Sequence, residues 1–533
     1  LLIQERVYVP TKCPNNLISK FVNPYYQLTF DEASQIANFQ NYEGGLDMRG
    51  RQSTNPISQL GLGVARQSWG KVKITDFGKA FLSDRPVDYL FIKALLKIQY
   101  PNPRDRFNKS SDGYDIIPFV GCLKFIKLVN SIKSKKQGLT KNEFEIFVLT
   151  LKRMDDEYLR MQLQKLINYR SSSSEQKISL KIDFAKEFYQ KDILTKLDIK
   201  NFSEYGDNVR RYYQMTELFR ITRPNFLSDW RINFNPLRVS EINQLIENFS
   251  NYSKVFNTND DYIGYMANSS LPALPWENKN ELINVNIDLF NQLKIITKLN
   301  KKDLQAFELE NNYKNNIQNL TNLKHGIIDK IKKLNMKKYT KKMLHNIEEL
   351  DNLIKLFGEK KGSTLIKLDP EYLEKFASDI FLVLGDYNEI NPNYLKDEEY
   401  NPIGHAPGGK GDIECFYEQI NILVEVTKMR GSQQAIMECE PVSRHLNNFS
   451  DKNKRNYLIF IAPEIHNDSY VNFYNSCKGL LAYGKQNIIP FNYNQIFLLL
   501  KFFRKNVINK NFKISILESI LVDIVSLIDI SER

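Results

Sequence analysis

Cysteine is scarce in this chain: 533 residues contain five, Cys13, Cys122, Cys415, Cys439 and Cys477, with no Cys-x-x-Cys pair and no Cys/His grouping at metal-ligand spacing. That excludes a disulfide-stapled scaffold and a structural zinc module, and the thiols read as reduced side chains of a cytoplasmic protein. No apolar run approaches the length of a membrane span, so no helical membrane anchor is expected. The first residues lack the pattern of a secretory signal. Leu1 is not an initiator methionine, and the natural start is expected upstream of it. What the chain does carry is positive charge. Lysine and arginine number 74 against 62 aspartates and glutamates, a formal net charge of +12. Such a balance suits a polyanionic partner, because lysine and arginine neutralise phosphates and release counterions. The length suffices for roughly two to four domains with real cores.

The most informative stretch is Gly411 to Lys428, which reads as a β-hairpin. Asp412 opens one strand and Glu425 lies near the end of the next. With the turn centred near Glu418 and Gln419, the two carboxylates fall opposite or diagonal on one face, a few ångströms apart. Clustered carboxylates repel, so one takes up a proton or the pair shares a cation. Mg2+ prefers an octahedral shell of oxygens and keeps some of its waters, so two carboxylates, a backbone carbonyl and a substrate phosphate make a site for it, with Mn2+ as a substitute. The Val426 carbonyl is the candidate third ligand. An ion held there serves phosphodiester hydrolysis.

Acidic and polar groups flank the hairpin. Ser432 to Leu446 reads as helical, with Pro441 expected to kink or break it; Glu438 and His445 are seven residues apart, on one face of a continuous helix. Upstream, Asp369-Pro370 reads as an N-cap with a first-turn proline and Gly385 as a C-terminal stop. The helix between them carries Glu374 beside the apolar Leu373, Phe376, Ile380 and Leu384, as an acid at the border of an apolar stripe.

The run from Asn401 to His445, NPIGHAPGGKGDIECFYEQINILVEVTKMRGSQQAIMECEPVSRH, resembles the catalytic segment of the AlwI, MlyI and PleI type IIS restriction endonucleases and of the BstNBI-type nicking endonucleases, members of the PD-(D/E)xK superfamily. The stretch Glu438-x-Glu440-Pro441-Val442-x-Arg444-His445 is more specific than the acid pair. The resemblance implies a metal site built from Asp412, Glu425 and the Val426 carbonyl, with Glu374, Glu438 and His445 completing the catalytic cluster. The lysine that the superfamily usually places two residues after the second acid is Thr427 here, as it is missing from the resembling family. Lys428 follows one position later and, on a strand, points to the opposite face. The resemblance spans both halves of the chain and is weakest in the first forty residues.

The N-terminal half reads as a recognition region. Arg49-Gly50-Arg51 begins a polar loop, and Lys71-Val72-Lys73-Ile74-Thr75-Asp76-Phe77-Gly78-Lys79 is a basic strand followed by a capped apolar helix, the pattern of a winged-helix wing. Ile117 to Val129 is expected to be helical, and Thr140 with Glu143 forms a capping box for the next helix, the parts of a helix-turn-helix core. Asp207 to Phe219 interleaves arginine and tyrosine in a pattern similar to the family's recognition domain; Tyr212, Met215, Leu218 and Phe219 have helical spacing and read as core. Candidate DNA contacts are Arg49, Arg51, Arg66, Lys71, Lys73, Arg210 and Arg211, with arginine the type best matched to guanine edges.

The expected architecture is multidomain: a mainly α-helical recognition region over 1–255 with winged-helix units (roughly 1–110 and 111–255), a linker over 256–300, and an α/β PD-(D/E)xK-like nuclease domain over 301–533. Within the last, Lys301 to Phe357 reads as a charged helical brace whose lysines are solvated, Tyr457 to Ala462 as a buried strand and Ile488 to Phe491 as a short one. The expected activity is Mg2+-dependent cleavage of double-stranded DNA at a fixed offset from a short asymmetric site, by a bacterial cytoplasmic enzyme with a companion DNA methyltransferase. Double-strand cutting requires a homodimer or a second cleavage subunit; otherwise the chain nicks. Two other readings use the same features: a structure- or damage-directed nuclease without a sequence site, and a non-catalytic winged-helix regulator, which needs no acid cluster.

Overall fold

The computed structural model describes residues 15–530 apart from 24–28, 30, 33–34, 37–55, 65–72, 84–85, 106, 133–136, 223–229, 252, 298–315, 360–362, 369, 398–399 and 407–408. The described residues are mostly helical and fall into two compact units, one reaching to Gly326 and the other beginning at Ile327.

The first unit holds small antiparallel ladders among helices. Strands β1 (Gly63–Val64) and β2 (Lys73–Ile74) pair in front of helix α1 (Asp76–Phe81), whose first turn is capped by Thr75, its hydroxyl accepting from the Gly78 amide at 2.9 Å. Helix α2 (Val87–Lys97) and helix α3 (Pro118–Ser131) follow. Next come β3 (Leu139–Thr140) and α4 (Lys141–Phe147), which starts with the expected reciprocal Thr140/Glu143 capping box. Strands β4 (Phe219–Thr222) and β5 (Arg231–Phe234) complete a sheet in the order β3-β5-β4. Helix α5 (Lys196–Gln214) ends earlier than its apolar spacing suggests. The Thr216 hydroxyl donates to the Tyr213 carbonyl at 2.5 Å and Glu217 turns the chain at φ +56°. Tyr212 is half-buried against the Phe91 ring while its neighbour Tyr213 is the helix's core residue, Leu218 and Phe219 reach the core from the turn and from β4, and Met215 stays exposed. Packing centres on aromatic contacts such as Phe119 with Tyr213 at 5.2 Å and Phe144 with Trp230 at 5.6 Å, which bury large apolar area.

Residues 256–300, read from the sequence as a linker, contain helices α6 (Asn259–Ala267) and α7 (Lys279–Thr297) within the first unit. Trp276 is buried in the short turn Pro275–Glu277 between these helices, and Leu282, Val285, Leu289 and Leu293 give α7 a core-facing stripe. The division between units thus falls later, inside helix α8 (Ile317–Met343).

The second unit is built on a five-stranded mixed sheet. Strand β6 (Glu389–Pro392) lies at one edge, beside β7 (Leu395–Lys396) and β8 (Pro402–Gly404), which pair with each other. Strands β9 (Ile413–Phe416), β10 (Ile420–Val426), β11 (Arg455–Ala462) and β12 (Asn487–Asn492) complete the order β12-β11-β10-β9-β6. β10, β11 and β12 run parallel; β9 and β6 are antiparallel to their neighbours. Burial on both faces explains why β10 and β11 read as near-continuous apolar runs. Ile422 and Val424 join the core of helices α9 (Ile347–Gly358), α10 (Pro370–Leu384), α12 (Tyr493–Ile508) and α13 (Ile514–Ile530), whereas Leu423 faces helix α11 (Ser432–Phe449) and its neighbour, residues 467–478. α11 runs without interruption through Pro441, correcting the expected break. Pro441 lacks the N–H that would meet the Met437 carbonyl. Buried Cys439, Val442 and Leu446 anchor the helix on both sides of the proline, and Met437 lies on its exposed flank.

Candidate active site

The β9–β10 hairpin dictates the centre of the site. Its register opposes Val424 to Ile413, so the next residues outward, Glu425 and Asp412, oppose each other on the face that carries Leu423. The Val426 amide donates to Asp412 Oδ2 at 2.8 Å, fixing that carboxyl against the partner strand. Asn393 holds the same corner through the main chain: its amide donates to the Asp412 carbonyl and its side chain to the Gly411 carbonyl, each at 2.8 Å.

Helix α11 supplies the second wall. His445 Nδ1 lies 2.8 Å from Glu425 Oε1, and Glu438 Oε1 accepts from the Thr427 hydroxyl at 2.8 Å. Thr427 also receives the Met429 amide at 3.0 Å. Lys428 donates to the Ile366 carbonyl at 3.2 Å. Helix α10 brings Glu374, which is buried rather than bordering solvent. Its two oxygens meet His405 Nδ1 at 3.0 Å and the Ala406 amide at 3.3 Å.

Burial and like charge dominate the electrostatics. Burial, then Glu425 and Glu374, hold the Asp412 carboxyl well above the usual range, against the lowering effect of the Val426 amide. Burial, then Glu438, pushes Glu425 up to about 8, against the lowering hydrogen bond with Asp412. His445 is lowered by burial first and then by Arg444. His405 is raised, mainly by its bond to Glu374. Carboxyls so disfavoured as anions become acceptable anions beside a cation, and the donor set is all oxygen, as Mg2+ requires. Among the described residues no three Asp, Glu, His or Cys side chains are grouped as a ready-made metal cage. The donors that fit are the carboxylate pair and main chain, a set that leaves coordination positions for water and phosphate.

A sequence model of the AlwI restriction endonuclease family matches residues 58–499. The chain belongs to the AlwI restriction endonuclease family. It is therefore a DNA endonuclease of the restriction class. Among curated proteins none is matched. Similar solved structures include the small subunit of the heterodimeric restriction endonuclease R.BspD6I, at 24% identity over 33% of this chain and 88% of that one, TM-score 0.29. The BpuJ1 endonuclease binding domain, in complex with pyrene- and phenanthrene-modified DNA, is similar at 14% identity over 48% and 92%, TM-score 0.33. Restriction endonuclease FokI is similar at 10% identity over 97% and 93%, TM-score 0.24. Membership of the AlwI family rests on the sequence match.

Of the residues singled out in this AlwI-family sequence, Asp412, Glu425, Val426, Glu438, His445 and Glu374 lie around one corner of the sheet. His405, Asn393 and the Thr427 hydroxyl were not picked out as site residues. His405 stands inside the family-like run, so a histidine beside clustered acids was its one signal; Asn393 had none. Lys73 is exposed on β2 and Arg211 is exposed on α5. Arg210 is buried, with its guanidinium 3.0 Å from Gln214 Oε1 and over the Trp230 ring at 5.5 Å. Arg49, Arg51, Arg66 and Lys71 lie outside the described residues. No helix among the described residues is long and apolar enough to cross a membrane.

Proposed function

We propose that this AlwI-family chain is a type IIS-like restriction or nicking endonuclease of the PD-(D/E)xK type, hydrolysing DNA at a fixed offset from a short asymmetric site. The observation that supports this reading most is the opposition of Asp412 and Glu425 across the hairpin, Asp412 raised by burial and then by Glu425, and Glu425 by burial and then by Glu438, with Glu374 alongside. Asp412, Glu425 and the Val426 carbonyl would hold Mg2+, or Mn2+ in its place. Bound there, the ion supplies Lewis-acid polarisation of the phosphate and lowers the pKa of water.

The chain's own side chains have separable tasks. His445 fixes the Glu425 carboxylate through one oxygen. Thr427 fixes Glu438, so that a carboxylate, with no lysine at that position, accepts the proton of the attacking water. Glu374, itself buried, orients this water. In the first unit, small antiparallel ladders beside capped helices support the winged-helix reading. Exposed Lys73 and Arg211 suit phosphate contact, and Arg49, Arg51, Arg66 and Lys71 remain candidates on sequence grounds. Arg210, being buried, is better suited to holding α5 in place. Such an enzyme works in the cytoplasm beside a methyltransferase that protects host sites. One acid cluster cuts one strand at a time, so double-strand cleavage calls for a second copy or a second subunit.

The test is incubation of purified protein with supercoiled plasmid in Mg2+, followed by sequencing of the ends. Discrete products at one offset are expected. Asp412→Ala and Glu425→Ala should keep site-specific DNA binding in a gel-shift assay and lose cutting. Full cleavage by both variants overturns the assignment of the site; metal-dependent cutting without discrete bands points instead to a structure- or damage-directed nuclease, and no cutting by the unaltered protein to a regulator.

A further inference from the structure

We propose that His405 is a positioning residue of the cleavage site, clamping Glu374 in register with Asp412 and Glu425; the proposal rests on the nuclease reading above. Glu374 is a buried acid beside the hairpin pair. It is 5% exposed, and its charge disfavours ionisation of both hairpin acids. A buried carboxylate among others stays in place as an anion only if donors engage its oxygens. Two donors do so: His405 Nδ1 on Oε1 and the Ala406 amide on Oε2. The bond is assigned with Nδ1 as the donor and Glu374 Oε1 as the acceptor.

The imidazole is bracketed rather than packed. His405 Nε2 lies 3.6 Å from Glu371 Oε2, one helical turn before Glu374 on α10, while 58% of the His405 side chain is exposed. Core packing therefore does not explain the residue. Its loss costs little stability and releases one oxygen of Glu374 next to the hairpin acids. Because the ring reaches the reacting centre only through Glu374, its removal should slow the chemical step without weakening DNA binding. Asparagine at 405 can put its Nδ2 donor where Nδ1 stands; alanine cannot.

The experiment compares the full-length protein with His405→Ala and His405→Asn on a plasmid carrying the mapped site, measuring kcat, KM, gel-shift affinity and the thermal midpoint. His405→Ala is expected to lower kcat roughly 10- to 100-fold, the usual cost of losing a group that orients an active-site ligand. KM, affinity and thermal midpoint should stay unchanged, and His405→Asn should recover most of the rate. Equal rates for the unaltered protein and His405→Ala overturn the proposal, as does an Asn variant no faster than the Ala variant, or a loss expressed in KM alone. These outcomes are distinct from failure of the nuclease reading, in which the unaltered protein itself leaves the plasmid intact.

Discussion

A methyl group added at Gly411 would lie 2.5 Å from Leu423 Cδ1, 2.9 Å from its Cγ and 3.0 Å from Glu425 Oε1. Leu423, fully buried under α11, must shift to admit the methyl group, and the Glu425 carboxylate on the same face is pushed from its place as well. Gly411→Ala leaves every acid in the sequence yet displaces one of the pair. The expected outcome is a drop in single-turnover cleavage of roughly 100-fold, the scale set by an ångström of misplacement at a reacting centre, with DNA affinity retained; unchanged cleavage would show that Glu425 is not held where this contact puts it. The legibility of the site follows the same lines. Asp412 and Glu425 could be read from sequence because a hairpin brings near neighbours together, and Glu438 with His445 because they share one helix. Glu374 was read as a border acid, since helical spacing tells which flank is apolar but not that the loop at His405 covers the other flank. Asn393 acts through backbone carbonyls and leaves no pattern at all.

Helices and strands were most legible where their signals are local. The Thr140/Glu143 box, the buried runs of β10 and β11, and the stop at Gly385 all appear where the sequence places them. Pro441 misled because its cost, about 3 kcal/mol, is a local penalty that tertiary anchoring of both helix halves can offset. Lys97 in α2 is a like case, a lysine with 0% exposure. Its ammonium lies over the Phe77 ring at 3.6 Å and donates to the Met266 and Asn268 carbonyls at 3.0 and 2.5 Å. Burial, then the charge of Lys93, lowers its pKa from 10.5 to about 7. The folded value lies below the unfolded one, so between pH 7 and 10.5 the unfolded chain binds more protons and stability rises with pH. The slope from this one group is at most about 1.4 kcal/mol per pH unit. Chemical denaturation across this window should show the stability of the unaltered protein climbing relative to Lys97→Met; parallel curves would mean that Lys97 keeps an ordinary pKa in the fold.

A buried charge cluster ties distant parts of the first unit together. Lys324, on α8, donates to Glu241 at 2.5 Å and to the Tyr89 hydroxyl at 2.7 Å. Glu241 also binds Arg238, which reaches Asp88 at 3.1 Å and Glu217 at 3.4 Å. Sequence alone places Lys324 among the solvated lysines of a charged helix, because its partner is 83 residues away and periodicity carries no information about such a partner. In the fold it is 1% exposed. Two cations here face three carboxylates, so deleting Lys324 leaves the buried Glu241 sharing one guanidinium with Asp88 and the more exposed Glu217. Removing one member of a buried pair costs about 3–5 kcal/mol, mostly for the charge left behind. Lys324→Met should therefore lower the calorimetric transition of the first unit markedly, whereas Lys200→Met, at an exposed position on α5 of the same unit, should stay within about 0.5 kcal/mol. Equal effects of the two substitutions would show that the cluster contributes nothing beyond a surface ion pair.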